Sequence, residues 1–176
     1  EDTEKEGITY KLLSKDDPIN AVLGNITNCC QVVGAAGESC VIYGLEAPNS
    51  SFMTFEYENN IIGQSWVWYD EYSKTICLDN IEVPERYLLK IKRNEDLQRN
   101  FINCLLRVEE NFKKEMNKKG FEVKFVTIGK GFNDLNYVIE KEFHLVNNPS
   151  SIAGYSGYKD SVNQYLICNN RKSLKK

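Results

Sequence analysis

The most regular hydrophobic spacing in the chain lies between Glu95 and Lys118. Leu97, Phe101, Leu105, Val108, Phe112 and Met116 recur at steps of 4, 4, 3, 4 and 4 residues, which stacks them on one stripe of an α-helix. Asn94 suits the cap, Glu95 and Asp96 favour the positive end, and Lys118-Lys119-Gly120 favours the negative end and the exit. Glu109 with Lys113 and Glu110 with Lys114 add i, i+4 support on the wet face. Elsewhere the period shortens to two. In Phe52–Tyr57, Met53, Phe55 and Tyr57 fall on one face and Thr54 and Glu56 on the other. Ile61–Tyr69 and Thr75–Val83 are rich in β-branched and aromatic residues, and Pro84 stops the second. With turns expected at Asn59-Asn60 and Asp70–Ser73, these three runs read as an antiparallel meander.

Phe121–Ile128 follows the long helix as a further strand. Strand Thr75–Val83, helix and strand Phe121–Ile128 form a β-α-β unit whose two strands should lie parallel. Thr9–Leu13 reads as a first strand. Asp16-Asp17-Pro18 opens a short helix to about Leu23, with Gly24 as its end, and a second short helix follows Gly34, Gly37 and Glu38 to near Gly44. A helix fits Asn133–Lys141, and strand-like pieces remain at Phe143–Val146 and Gln164–Cys168. The expectation is one domain over 8–168, with flexible ends at 1–7 and 169–176.

The order of elements resembles the GNAT superfamily of N-acetyltransferases. Two stretches carry the likeness. Asn60-Ile61-Ile62-Gly63-Gln64-Ser65-Trp66-Val67-Trp68 is similar to the family's third strand with its I-x-G, and Thr75–Val83 followed by Pro84 is similar to a fourth strand ending near V-x-P. Asn133–Phe143, with Tyr137 and Glu140-Lys141 ahead of Phe143, looks like the helix that often ends Tyr-Glu-Lys-x-Gly-Phe. The resemblance implies an α/β (α+β) fold with a mixed sheet, the meander leading into the β-α-β unit and helices on both faces. It also implies transfer of an acyl group from acetyl-CoA, or another acyl-CoA, to an amine acceptor.

On that resemblance Ile81 and Val83 contact the acyl donor at the end of the fourth strand. Lys92, Arg93 and Asn133 bind the coenzyme, Glu82 is the base and Tyr137 protonates the departing thiolate. Asp79 and Glu82 are carboxylates in an apolar strand, where partial burial raises a carboxyl's pKa toward a useful range. Three positions apart, they are expected on opposite faces, with one toward the acceptor. The family's glycine loop, Arg/Gln-x-x-Gly-x-Gly/Ala, holds the pyrophosphate on backbone N–H groups. Its counterpart here, Arg86-Tyr87-Leu88-Leu89-Lys90-Ile91-Lys92-Arg93-Asn94, is longer and has no glycine. Lys90, Lys92 and Arg93 offer positive charge there, while Glu95 and Asp96 oppose a phosphate. This departure supports a rival reading, a GNAT-shaped binding or scaffold domain of a larger protein.

Composition sets limits. With 41 % hydrophobic and 27 % charged residues the chain can bury a core, which excludes global disorder. The net charge of −3 argues against nucleic acid held by phosphate neutralisation and weakly favours a cationic acceptor. No apolar run is long enough to span a bilayer. The chain opens Glu1-Asp2-Thr3-Glu4 without a methionine or signal-peptide pattern, so it reads as a cytoplasmic domain with neighbours beyond its ends.

Six cysteines without C-x-x-C and one histidine, His144, leave little for a zinc site or a Cys-His nucleophile. Cys29, Cys30 and Cys40 as metal ligands compete with buried free thiols, and a metal-bound regulatory module is a third function class. The polar, glycine-rich run Gly24–Gln31 with Gly34 and Gly37 borders the acceptor region in the GNAT arrangement; a tightly packed loop is the structural alternative. Gly129-Lys130-Gly131 lacks the rest of a phosphate loop and reads as a turn. Trp66 and Trp68 share a strand face and are expected to pack under helices. The sequons at Asn25 and Asn49 are short enough to arise by chance.

Overall fold

The computed structural model describes residues 7–131, 135–147 and 163–168. Among these, seven strands form one mixed sheet in the order β1-β2-β3-β4-β5-β7-β6. β1 (Thr9–Leu12), β2 (Ser50–Tyr57), β3 (Asn60–Asp70) and β4 (Thr75–Leu78) pair antiparallel. β4 then pairs parallel with β5 (Phe125–Gly129), from Thr75 opposite Phe125 to Leu78 opposite Ile128. β6 (Leu145–Asn147) and β7 (Asn163–Leu166) complete the sheet, β7 lying against β5. The meander and the β-α-β unit therefore stand as the hydrophobic pattern indicates.

Helices cover both faces. α1 (Leu23–Thr27) and α2 (Glu38–Glu46), after a 3-10 turn at Pro18–Ala21, lie over Leu13, Phe52, Trp66, Trp68 and Cys77. Trp66 and Trp68 are thus core residues. α3 (Glu85–Lys92), α4 (Glu95–Lys118) and α5 (Asn136–Glu142) cover the larger cluster on the opposite face. The helical stripe is buried at Leu97, Phe101, Leu105 and Val108, and half-buried at Phe112 and Met116. Asn94 caps α4 by accepting from the Leu97 N–H at 3.0 Å.

Several boundaries move, each for a local reason. The β2–β3 turn is Glu58-Asn59, both at positive φ, because Tyr57 pairs with Asn60 and leaves a two-residue loop of the type that matches strand twist. Gly24 lies inside α1, which ends instead at Asn28 in the left-handed conformation. Asp17 caps the 3-10 turn through the Ile19 N–H. Phe121–Lys124 stays outside β5, since β4 starts only at Thr75 and offers these residues no ladder. Arg86–Asn94 is not a loop: most of it is α3, buried through Leu88 and Ile91 three positions apart. The described part of the last helix begins at Asn136; its expected start, Asn133, lies outside the described residues.

Candidate active site

A departure from regular pairing sits where β4 leaves β5. Val67 pairs with Leu78, and Gln64 forms an isolated bridge with Glu82. Between those pairs β3 advances three residues and the other chain four, so one extra residue is accommodated in a β-bulge. β4 accordingly ends at Leu78 rather than Val83. Asp79 N–H donates to the Trp66 carbonyl at 2.7 Å, and Glu82 and Gln64 exchange backbone bonds at 2.9 and 3.0 Å. Because Glu82 spends its backbone groups on β3, those of Ile81 and Val83 on either side face the β5 side of the chain, beyond the last ladder pair of Leu78 with Ile128.

The bulge also alters which side chains meet. Asp79 and Glu82 do not fall on opposite faces, because the extra residue breaks the alternation. Both carboxylates act on Cys29, which reaches the bulge from the loop between α1 and α2. Burial pushes the Cys29 thiol well above its ordinary range; the Gln31 N–H on its sulfur opposes this, and the Glu82 and Asp79 carboxylates add to the rise. That keeps Cys29 a neutral thiol at pH 7 and a poor nucleophile.

A chain of side-chain hydrogen bonds joins the loop to the bulge. Gln64 Nε2 donates to Gln31 Oε1 at 3.3 Å, and Gln31 Nε2 donates to Asp79 Oδ2 at 3.2 Å. Asn80 N–H donates to Asp79 Oδ1 at 2.6 Å, and Asn80 Nδ2 donates to Glu82 Oε1 at 2.7 Å. Gln31, Gln64, Asp79 and Asn80 are all buried, while Glu82 is half-buried. Two glycines close this arrangement. A Cβ on Gly24 would lie 2.2 Å from the Gln31 carbonyl oxygen, so only glycine lets α1 approach the loop. Gly131, at φ +49°, packs its backbone on Asn80, where a Cβ would meet the Asn80 Cβ at 2.4 Å. Of the expected Gly129-Lys130-Gly131 turn, Gly129 is the last residue of β5 and Gly131 alone stands in a turn.

The remaining site residues lie on the other face. The Lys92 and Lys141 ammonium groups stand 5.7 and 5.5 Å from the centre of the Tyr137 ring. The motif position directly before Glu140 is Ile139, buried in the core, and Tyr137 stands two residues earlier. Arg93 follows Lys92 at the end of α3. Asn133 lies outside the described residues. Sequence reasoning missed Gln31, Gln64 and Asn80 as members of the site. Asn80 had a signal, an amide between two carboxylates in an otherwise apolar strand.

The residues present meet the two ends of a coenzyme A thioester differently. The amide-bearing arm would need backbone partners such as those of Ile81 and Val83, which flank Glu82. The phosphate end finds no glycine cradle: α3 replaces the loop, Asn94 caps α4, and Glu95 and Asp96 occupy its first turn. Among the described residues no group of three His, Cys, Asp or Glu side chains is arranged to hold a metal ion. No described helix is long and apolar enough to cross a membrane. Asn49 of the second sequon donates its Nδ2 to the Tyr69 carbonyl, and Thr27 of the first is buried with its hydroxyl on the Leu23 carbonyl.

No family model matches the chain, and no curated protein matches it either. Solved structures do. Tetrahymena GCN5 is 10 % identical at a TM-score of 0.51, the match covering 90 % of this chain and 96 % of that one. An acetyltransferase from Streptococcus agalactiae is 13 % identical at a TM-score of 0.50, over 91 % and 96 %. At these identities the likeness is one of architecture, and the strand order and parallel crossover agree with it: the chain has the fold of the GNAT N-acetyltransferases.

Proposed function

We propose that this domain transfers an acyl group from a coenzyme A thioester, acetyl-CoA in the simplest case, to an amine of a small molecule or protein. The observation that carries the proposal is the bulge at Asp79–Val83, which pairs Glu82 with Gln64 beyond the last β4–β5 pair and leaves the backbone of Ile81 and Val83, on either side of a carboxylate, to face the β5 side. The backbone groups of Ile81 and Val83 bind the donor's arm as an added strand would. The amine nitrogen attacks the thioester carbonyl carbon, the C–N bond forms and the C–S bond breaks. Glu82, oriented by Asn80, takes the proton lost by nitrogen. Tyr137 gives a proton to the departing thiolate. Lys92 and Arg93 meet the phosphates in place of backbone amides.

A second reading, a binding or scaffold domain without coenzyme, is favoured by the first turn of α4, already capped by Asn94 and made negative by Glu95 and Asp96. Titration calorimetry with acetyl-CoA, and with free coenzyme A as companion, separates the two. Saturable binding, with turnover lost in Glu82→Gln and lowered in Tyr137→Phe, supports transfer. Absence of binding at concentrations that detect micromolar affinity leaves the second reading.

A further inference from the structure

The amide chain at the bulge has a direction, and the direction is set by chemistry. Asp79 is an acceptor, so the Gln31 amide must turn its NH2 toward Asp79 Oδ2. Its oxygen then faces Gln64, and Gln64 must turn its own NH2 toward that oxygen. The last atom of the chain is therefore Gln64 Oε1, which is buried and has no hydrogen-bond partner among the described residues. Gln64 is only 1 % exposed. A buried carbonyl acceptor without a donor is unfavourable, and a donor brought by a ligand relieves that penalty. Two carboxylates stand close by: Asp79 accepts from Gln31, Glu82 pairs its backbone with that of Gln64, and both act on the buried Cys29. The cover is one loop thick: Gln31 is buried, while Cys30 and Val33–Ala36 of the same loop are exposed.

We infer that Gln64 Oε1 is the recognition point for a cationic N–H donor, a primary ammonium or guanidinium group, seated beside Asp79 and Glu82 under the Cys29–Gly37 loop. The inference rests on the acyl-transfer reading only in taking this cation as the acceptor. On that reading Gln64 holds one N–H of the amine while Glu82 removes another proton, which aims the nitrogen lone pair at the β5 side of the chain. Asp79 is a positioning residue, since it acts on the ligand through the orientation it imposes on both amides.

The test uses the whole chain, 15N-labelled, with the Gln side-chain NH2 resonances followed during titration. The probes are n-butylammonium, n-butylguanidinium and butyltrimethylammonium, the last carrying the charge without an N–H. The first two are expected to saturate with shifts at Gln64 and Gln31, and the third to bind at least tenfold more weakly. Gln64→Met, checked for folding by circular dichroism, is expected to lose at least tenfold in butylammonium affinity. Asp79→Asn gives Gln31 an amide that can donate, so both amides turn over and the preference for the N–H cation disappears. Should Gln64→Met fail to fold, Asp79→Asn and the probe comparison on the native chain decide. Equal binding of butylammonium and butyltrimethylammonium, no saturable binding of butylammonium, or unchanged butylammonium affinity in folded Gln64→Met would overturn the inference. Acetyl-CoA calorimetry on the same samples separates the two claims. Butylammonium bound through Gln64 without any acetyl-CoA binding sinks acyl transfer and leaves the cation site standing. Acetyl-CoA turnover of an amine with no dependence on Gln64 does the reverse.

Discussion

Gly131→Ala tests the contact that holds the candidate base in place. Gly131 sits at φ +49°, and an added Cβ would come within 2.4 Å of Asn80 Cβ, 2.8 Å of its Cγ and 2.9 Å of its Nδ2. Two penalties follow. A left-handed conformation costs a residue with a Cβ about 1–2 kcal/mol. Forcing a methyl group against a buried neighbour costs about 1–3 kcal/mol more. The expected loss is therefore about 2–5 kcal/mol of unfolding free energy, measured by urea denaturation. The three closest approaches are all to Asn80, so a double-mutant cycle with Asn80→Gly isolates their share. In that background Gly131→Ala should cost only the conformational share of about 1–2 kcal/mol. Asn80→Ala is the wrong partner, because it keeps the Cβ that makes the closest approach. Equal costs of Gly131→Ala in both backgrounds would refute the packing of Gly131 on Asn80. With it would go the argument that the loop after β5 buttresses Glu82 through the 2.7 Å bond from Asn80.

Three further expectations come from other parts of the fold. Gly24→Ala drives a Cβ into the Gln31 carbonyl and should cost about 1–3 kcal/mol in the same urea assay, with the Gln31 and Gln64 NH2 resonances displaced together. Asn94→Ala removes the α4 cap and should cost about 1 kcal/mol, whereas Asn94→Asp should keep most of it. Cys104 gives a pH dependence: burial pushes its thiol up to about 12, with Arg107 opposing, from an ordinary 9.0. The folded state thus holds a proton that the unfolded chain releases first, so stability is full below pH 9 and declines as pH rises toward 12. The urea midpoint should fall between about pH 8 and about pH 10, and less so in Cys104→Ala.

What the sequence makes legible is set by periodicity. The α4 stripe and the meander follow from spacing because burial on one face forces a period, and nothing local competes with it. α3 escapes for an instructive reason. Leu88 and Ile91 with Pro84-Glu85 at the start and Lys90 and Lys92 in the last turn make a short helix signal. Family likeness sets a loop there, and the likeness outweighs the local chemistry. The bulge escapes for a different reason. An extra residue in one strand leaves no mark on the alternation of that strand alone; it exists only in the pairing of Gln64 with Glu82. Once it is present, Asp79 and Glu82, assigned opposite faces by a period of two, both act on Cys29. The Gln31–Gln64 contact spans 33 positions, and no local rule anticipates a pair that far apart.

The two ends of the proposed donor site predict different consequences of salt. The strand edge at Ile81 and Val83 works through backbone groups, whose hydrogen bonds to an uncharged amide arm respond little to ionic strength. The phosphate end relies on Lys92 and Arg93, side chains exposed at the end of α3, and on a helix start that opposes anions. Exposed charges lose most of their attraction beyond a Debye length of about 8 Å at physiological salt. Acetyl-CoA should therefore bind more tightly than S-acetylpantetheine, which lacks the nucleotide, and the advantage should shrink as salt rises from about 50 mM to about 500 mM. Lys92→Ala with Arg93→Ala should remove that advantage and leave S-acetylpantetheine affinity unchanged. Equal affinities of the two donors at low salt would mean that the phosphates meet nothing here. A tight, salt-insensitive preference for acetyl-CoA would instead require buried backbone donors, and at the start of α4 the Leu97 N–H is already taken by Asn94.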